Sequence, residues 1–246
     1  MNKTLAALVA AWALAAGSAA LAHGGAPAAA WYGGQLVETP EGYRVEFAVR
    51  EGLVRAWVRD RSDRPVKAAG TATLAMHGHA MPATLRSEGD ALVAEAHVGS
   101  ADKLEAALAL TVAGKQLAAR FTQEAVATPA LAGPAESGKQ AFDKVCATCH
   151  GAALRGSDKA PPLLHPYYTA AAGHTDDVML SAMAKGTKSH MWKLGDMPKP
   201  EGLGAGQDKE VLAYIRAMQA ANGLGAQAAL PPMPAMDHSS HMKHHH

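Results

Sequence analysis

The sequence predicts a multidomain chain: a small N-terminal all-β sandwich followed by an all-α domain. Three observations predict it. Apolar residues alternate with period two through the first half of the chain, an Ala/Pro-rich stretch interrupts the pattern, and the apolar period beyond it is helical. The 246 residues suffice for two ordinary domains, and 48% hydrophobic against 18% charged residues predicts packed cores rather than disorder.

Residues 1–22 read as an export signal. Lys3 supplies the positive start, residues 5–16 are apolar, and Ala20-Leu21-Ala22 offers small residues for cleavage. The apolar run is shorter than the roughly 18 residues of a membrane span, and no later stretch reaches that length. The mature chain is therefore expected to begin at His23, with no stable membrane span.

Residues 23–123 are expected to form the sandwich. Tyr43, Val45, Phe47 and Val49 share one face of a strand. Residues 53–58 make a second strand that is not cleanly two-sided, because Arg55 and Arg59 face one way with Trp57 between them. Asp, Ser and Pro mark residues 60–65 as a turn. Residues 71–77, 91–98 and 105–112 are further strands, the last ambiguous with helix, and their spacing suits a sandwich. Residues 124–134 read as a linker. Residues 135–224 form the helical domain: Pro134 suits the first position of a helix, and residues 211–221 form another. On that helix Leu212, Ile215 and Gln219 lie along one side and Val211, Tyr214 and Met218 on the adjoining stripe, and Asn222-Gly223 stops it. Residues 225–246 are Pro, Met and His with little to bury, and read as a disordered tail.

Charge excludes one class of partner. There are 23 Lys+Arg against 22 Asp+Glu, and removal of Lys3 with the signal leaves them balanced. A nucleic-acid partner would need a clustered basic excess. The 13 His and 11 Met point instead to metal chemistry.

The only two cysteines stand in Cys146-Ala147-Thr148-Cys149-His150, the C-x-x-C-H attachment signature for c-type haem. Two thiols add to the haem vinyl groups and the next residue offers its imidazole to the iron. A thioredoxin-like dithiol would need a βαβ context, a zinc site would need more ligands, and a structural disulfide leaves His150 without a purpose.

Residues 137–223 resemble a class I cytochrome c. Gly138 and Phe142 fall where that family's first helix meets its last, here around Leu212, Tyr214 and Ile215. The resemblance implies that the carbonyl of Pro162, 12 positions after His150, accepts the imidazole Nδ1–H. It also implies Met197, in Gly195-Asp196-Met197-Pro198, as the sixth iron ligand. Met191 and His190 are the alternatives. The run from Ser189 to Pro198, with Tyr214-Ile215-Arg216 and Ala221-Asn222-Gly223, is similar to bacterial single-haem periplasmic cytochromes, which implies the periplasm as destination. His165 and His174 read as ordinary polar or packing residues.

Copper is the second expected metal. In an extended strand His77, His79 and Met81 would point to one face, and two imidazoles with a thioether suit copper. Gly78 and Pro82 argue for an exposed loop instead. His23 would join an α-amine to an imidazole. The tail adds His238, His241, Met242, His244, His245 and His246. The N-terminal domain faintly resembles β-domains of periplasmic copper and heavy-metal handling proteins.

These readings add up to a one-electron carrier with one covalent haem c, His150/Met197 ligation and redox proteins as partners, beside candidate copper sites. Two alternatives stand: a copper-binding or scavenging protein with an accessory haem, and a haem-containing subunit of a periplasmic oxidoreductase. A spectrum with an open coordination position would favour the latter, and tight copper binding with slow electron exchange the former.

Overall fold

The computed structural model describes residues 29–225. The expected signal, His23 and the tail ligands from His238 to His246 lie outside the described residues.

Residues 35–123 form eight strands: β1 (Gln35–Glu38), β2 (Arg44–Arg50), β3 (Leu53–Arg59), β4 (Ala69–Met76), β5 (His79–Glu88), β6 (Ala91–Glu95), β7 (Leu104–Val112) and β8 (Lys115–Gln123). All neighbours pair antiparallel in the order β1-β2-β3-β6-β5-β4-β7-β8. The expected sandwich is thus a single curled sheet, nearly a barrel. The long strand β5 explains it, pairing with β4 through residues 79–85 and with β6 through residues 86–88, so no gap separates two sheets. The ends come together where Phe47 stacks on Phe121 at 4.8 Å and Gln35 Nε2 donates to the Thr122 carbonyl at 2.9 Å.

Alternation builds the core. Val45, Phe47 and Val49 of β2, Val54, Ala56 and Val58 of β3, and Leu104, Leu108 and Leu110 of β7 all point inward and are buried. Two-residue turns join the strands at Glu51-Gly52, His77-Gly78 and Ala113-Gly114. Both residues of each have positive φ, the backbone twist that suits antiparallel strands. This corrects the copper reading: His77 sits in a turn at φ 47 and shares no strand face with His79 and Met81.

Residues 124–133 carry no regular element but are tied down. Val126 N donates to Ala101 O at 2.8 Å, and Ala127 exchanges two hydrogen bonds of 2.9 Å with the Asn222 side chain.

The second domain holds α1 (Pro134–Val145), α2 (Ala147–His150), α3 (Asp176–Lys185) and α4 (Gln207–Ala221). These helices have 12, 4, 10 and 15 residues; α2 follows α1 after one residue, but long stretches without α-helix precede α3 and α4, so the domain is helix and loop rather than uniformly α. Helix α1 crosses α4 closely at Gly138, where a Cβ would collide with the Glu210 carbonyl oxygen. One turn on, Phe142 packs against Tyr214 with ring centroids 5.3 Å apart. Both expected stripes of α4 are buried.

Candidate functional site: a cysteine-histidine turn on an apolar cavity

Helix α1 leads directly into the motif, with Cys146 as the one residue between α1 and α2. Cys146 N donates to Phe142 O, and His150 N to Cys146 O at 2.9 Å, so the motif forms one tight turn at the end of α1. Gly151 ends it at φ 73. Cys146 and Cys149 are both free and half-buried. Burial pushes the Cys146 thiol up to about 11, with the nearby Cys149 adding to the shift. His150 is only 8% exposed, and burial holds its imidazolium below the ordinary pKa, opposed by a hydrogen bond to Pro161.

That bond corrects an expectation. His150 Nδ1 donates to the carbonyl of Pro161 at 3.0 Å, not to that of Pro162. The fold puts Pro162 to another use. Gly156 turns tightly at φ 77 over the Pro162 nitrogen, and the buried Pro162 ring packs against Gly33 of the other domain. The geometry is the one a ligating imidazole needs: Nδ1–H is fixed by a carbonyl and Nε2 is left to ligate.

The three motif residues open onto a cavity of about 690 Å³. Its wall includes Phe142, Leu163, Met179, Met183, Val211 and Ile215, apolar side chains from three helices and a loop. The volume is in the range of sites that engulf cofactor-sized ligands. A second wall comes from residues 186–201, which bring His190, Met191 and Met197 to the same cavity. Met197 is held by a two-way backbone pairing: Thr187 N donates to Met197 O at 2.8 Å and Met197 N to Thr187 O at 2.9 Å. Gly186 lies so close that a Cβ there would sit 2.5 Å from the Met197 carbonyl oxygen. Between these anchors the loop closes on itself through Asp196, which accepts from Lys188 Nζ at 2.6 Å and from Ser189 N at 2.9 Å. These two partners hold the Asp196 carboxyl below the usual carboxylate range, the lysine contributing most. His190 is exposed, and its Nδ1 donates to the Lys188 carbonyl at 2.9 Å.

His165 and His174 sit in the aromatic packing beside the second wall. His165 Nδ1 accepts from Tyr167 N at 3.1 Å, and its ring meets Trp192 edge-on. His174 packs against Tyr167 and Tyr168 and reaches the cavity wall. The β-hairpin residues His77, His79 and Met81 are exposed at the tip between β4 and β5 and do not line this cavity. No group of three or more His, Cys, Asp or Glu suited to a metal occurs among the described residues.

Sequence reasoning missed Pro161, whose signal was the Pro161-Pro162 doublet: either carbonyl could serve, and only the three-dimensional path selects one. It also passed over Arg50 and Ser157. Arg50 NH1 donates to the Ser157 carbonyl at 2.9 Å, and Ser157 Oγ donates to the Cys149 carbonyl at 2.6 Å.

Two soft thiols, a buried imidazole with a fixed tautomer and an apolar cavity suit a covalently attached haem. Comparison with known proteins agrees: the cytochrome c family model matches residues 135–219. No curated protein and no solved structure matches the chain. Residues 135–219 are a cytochrome c domain of the class I type, a family that implies covalently bound haem c, and this domain supports a haem-containing electron-transfer protein.

Proposed function

We propose that the protein is a periplasmic one-electron carrier holding a single haem through thioether bonds to Cys146 and Cys149, with His150 and Met197 as iron ligands. The observation that carries this reading is the shared cavity, where the motif turn forms one wall and the Met197 segment the other. The haem supplies an iron that cycles between ferric and ferrous states. The residues do the rest. Pro161 fixes the His150 ring, the apolar helices exclude water, and the Thr187–Met197 pairing presents the thioether from a fixed backbone. Burial of this kind with a thioether ligand favours the ferrous state and a high potential. Two protein ligands leave no position for substrate, so the protein is a carrier and not an enzyme. Its partners are redox proteins, and residues 1–22 act as the export signal.

Met197 is favoured over Met191 and His190 by its anchoring. Met197 is paired to a second segment through both backbone groups, whereas the His190 side chain is exposed. Met197→Ala should abolish the near-infrared sulfur-to-iron band of the ferric protein, while Met191→Ala should keep it. The reverse result moves the assignment to Met191, and a band kept in both variants rules out either thioether as the sole ligand.

A second reading, copper handling, is supported by the register of β4 and β5. Met76 stands opposite His79, and Met81 lies two positions along the same face, so two thioethers and one imidazole gather at the hairpin tip. His23 and the tail residues His238, His241, Met242, His244, His245 and His246 are further candidates. Titration with Cu(I) should lose one site in His79→Ala/Met81→Ala and keep it in His77→Ala. Equal loss in both, or none, excludes the hairpin.

A further inference from the structure

The outward faces of β2 and β3 are neither core nor solvent. Glu46, Arg50 and Arg59 lie there, 0%, 2% and 1% exposed. Charges so buried must be paired and hydrogen-bonded, and here their partners form a strap. Glu46 accepts from Trp31 N at 2.6 Å, Tyr32 N at 2.8 Å and Gly34 N at 2.9 Å. Arg59 donates to the Ala29 carbonyl at 2.9 Å, and Arg50 to the Tyr32 carbonyl. Tyr32 stacks on Trp57 at 4.5 Å. Residues 29–34 are thereby stretched across the sheet.

The strap and the charges beneath it grip the cytochrome domain at residues next in sequence to those lining both cavity walls: Ser157, Asp158 and Pro162 on one side, Lys193 on the other. Beside the first wall, Arg50 bonds the Ser157 carbonyl, Arg55 pairs with Asp158, and Gly33 packs on Pro162, where a Cβ would lie 2.7 Å from the ring. Ser157 in turn bonds the Cys149 carbonyl, and Pro161 next along holds His150. Beside the second wall, Lys193 N donates to the Trp31 carbonyl at 2.7 Å, with Lys193 Nζ 2.9 Å from the Trp31 ring centroid on its face. Trp192 also meets the Gly33 position.

We propose that Arg50 is a positioning residue of the haem site: through Ser157 and the residue 29–34 strap, the β domain braces the His150 and Met197 walls together and thereby sets the haem potential. This rests on the ligand reading given above. Two physical effects act in one direction. A buried guanidinium beside Ser157 disfavours the more positive ferric iron, and the strap above it keeps water from Arg50, so that this charge is weakly screened. Arg50 suits the task because its planar fork reaches two carbonyls at once, which a lysine cannot do.

The test uses the mature haem-loaded protein and reads the reduced-to-oxidised ratio at fixed ambient potential. Arg50→Met should lower that ratio about tenfold, about 59 mV for one electron. Arg50→Lys, which keeps the charge but loses the fork, should fall between. Arg44→Met removes a charge from the same strand where the partners are Asp63 and Glu38, not the cytochrome domain, and should leave the ratio unchanged. An unchanged ratio in Arg50→Met, or an equal fall in Arg44→Met, overturns the proposal. Should Arg50→Met fail to mature, Gly33→Ala replaces it: with φ +74 and Pro162 in the way, an alanine lifts the strap and should also lower the ratio. No shift there overturns the proposal as well. The near-infrared band should persist in all these variants. Its absence from the unmodified protein would remove the Met197 reading by itself, since the ratio is measured independently of it.

Discussion

The two walls of the cavity are built in opposite ways. The first is contiguous in sequence: helix α1 runs directly into Cys146, Cys149 and His150, and the next residues return Pro161 to the imidazole. The second is a loop with no helix behind it, shaped by the contacts that pin it at several points. Thr187 pairs with Met197, Asp196 holds Lys188 and Ser189, and Trp31 of the other domain holds Lys193. Covalent attachment suits the first wall, because a single helix turn can aim both sulfurs. The second wall suits a side chain whose position is set by everything that pins the loop, as proposed for Met197.

This contrast can be broken at its foundation. Phe142 is fully buried between α1 and α4 and lines the cavity as well. Phe142→Ala should cost about 3–5 kcal/mol in denaturant unfolding of the haem-loaded protein. A loss below about 1 kcal/mol would mean that the α1–α4 contact is not what supports the motif wall.

A smaller effect should separate the walls by pH. Burial lowers His165 to about 4, and its unprotonated Nδ1 accepts from Tyr167 N beside Trp192. An unfolded histidine titrates near 6.5, so between those values the unfolded chain binds more protons than the folded one. His165 therefore adds stability that is complete above about pH 6.5, falls as pH drops, and is gone below about 4. Its share of the slope is at most about 1.4 kcal/mol per pH unit. His165→Gln should flatten the stability profile between pH 4 and 6.5 relative to the unmodified protein. Parallel profiles would show that His165 titrates normally.

The smallest effect is expected at Asp196. Its ion pair with Lys188 is exposed, and such pairs contribute little. Asp196→Ala should leave the unfolding midpoint nearly unchanged while raising amide exchange at Ser189, whose N–H it accepts. An unchanged exchange rate would mean that the loop is held without Asp196, by the Thr187–Met197 and Trp31–Lys193 contacts.

The same division decides what was legible in the sequence. The motif wall was readable because its chemistry is local, and α4 because its apolar stripes repeat at helical spacing. Strands β5 and β8 were not, for different reasons. β8 buries Leu117, Ala119 and Phe121, but its small alanine weakens the alternation. β5 carries Pro82 and buries only Leu85, so it reads as a loop. The uneven reading of residues 53–58 has a physical cause: Arg55, Trp57 and Arg59 face the strap and the cytochrome domain, so that face is an interface and its charges are paired. The swap between Pro161 and Pro162 follows from the same limit, since counting residues locates the loop but not which carbonyl it turns inward.

The central claim, that one haem is bound covalently by the turn at Cys146 and Cys149, is tested most directly on protein matured in a periplasm with haem-attachment machinery. Acid-acetone extraction followed by a pyridine haemochrome spectrum should find one haem per chain still attached, with both vinyl groups saturated. Haem that extracts freely, or a spectrum showing an unreacted vinyl, would contradict the account.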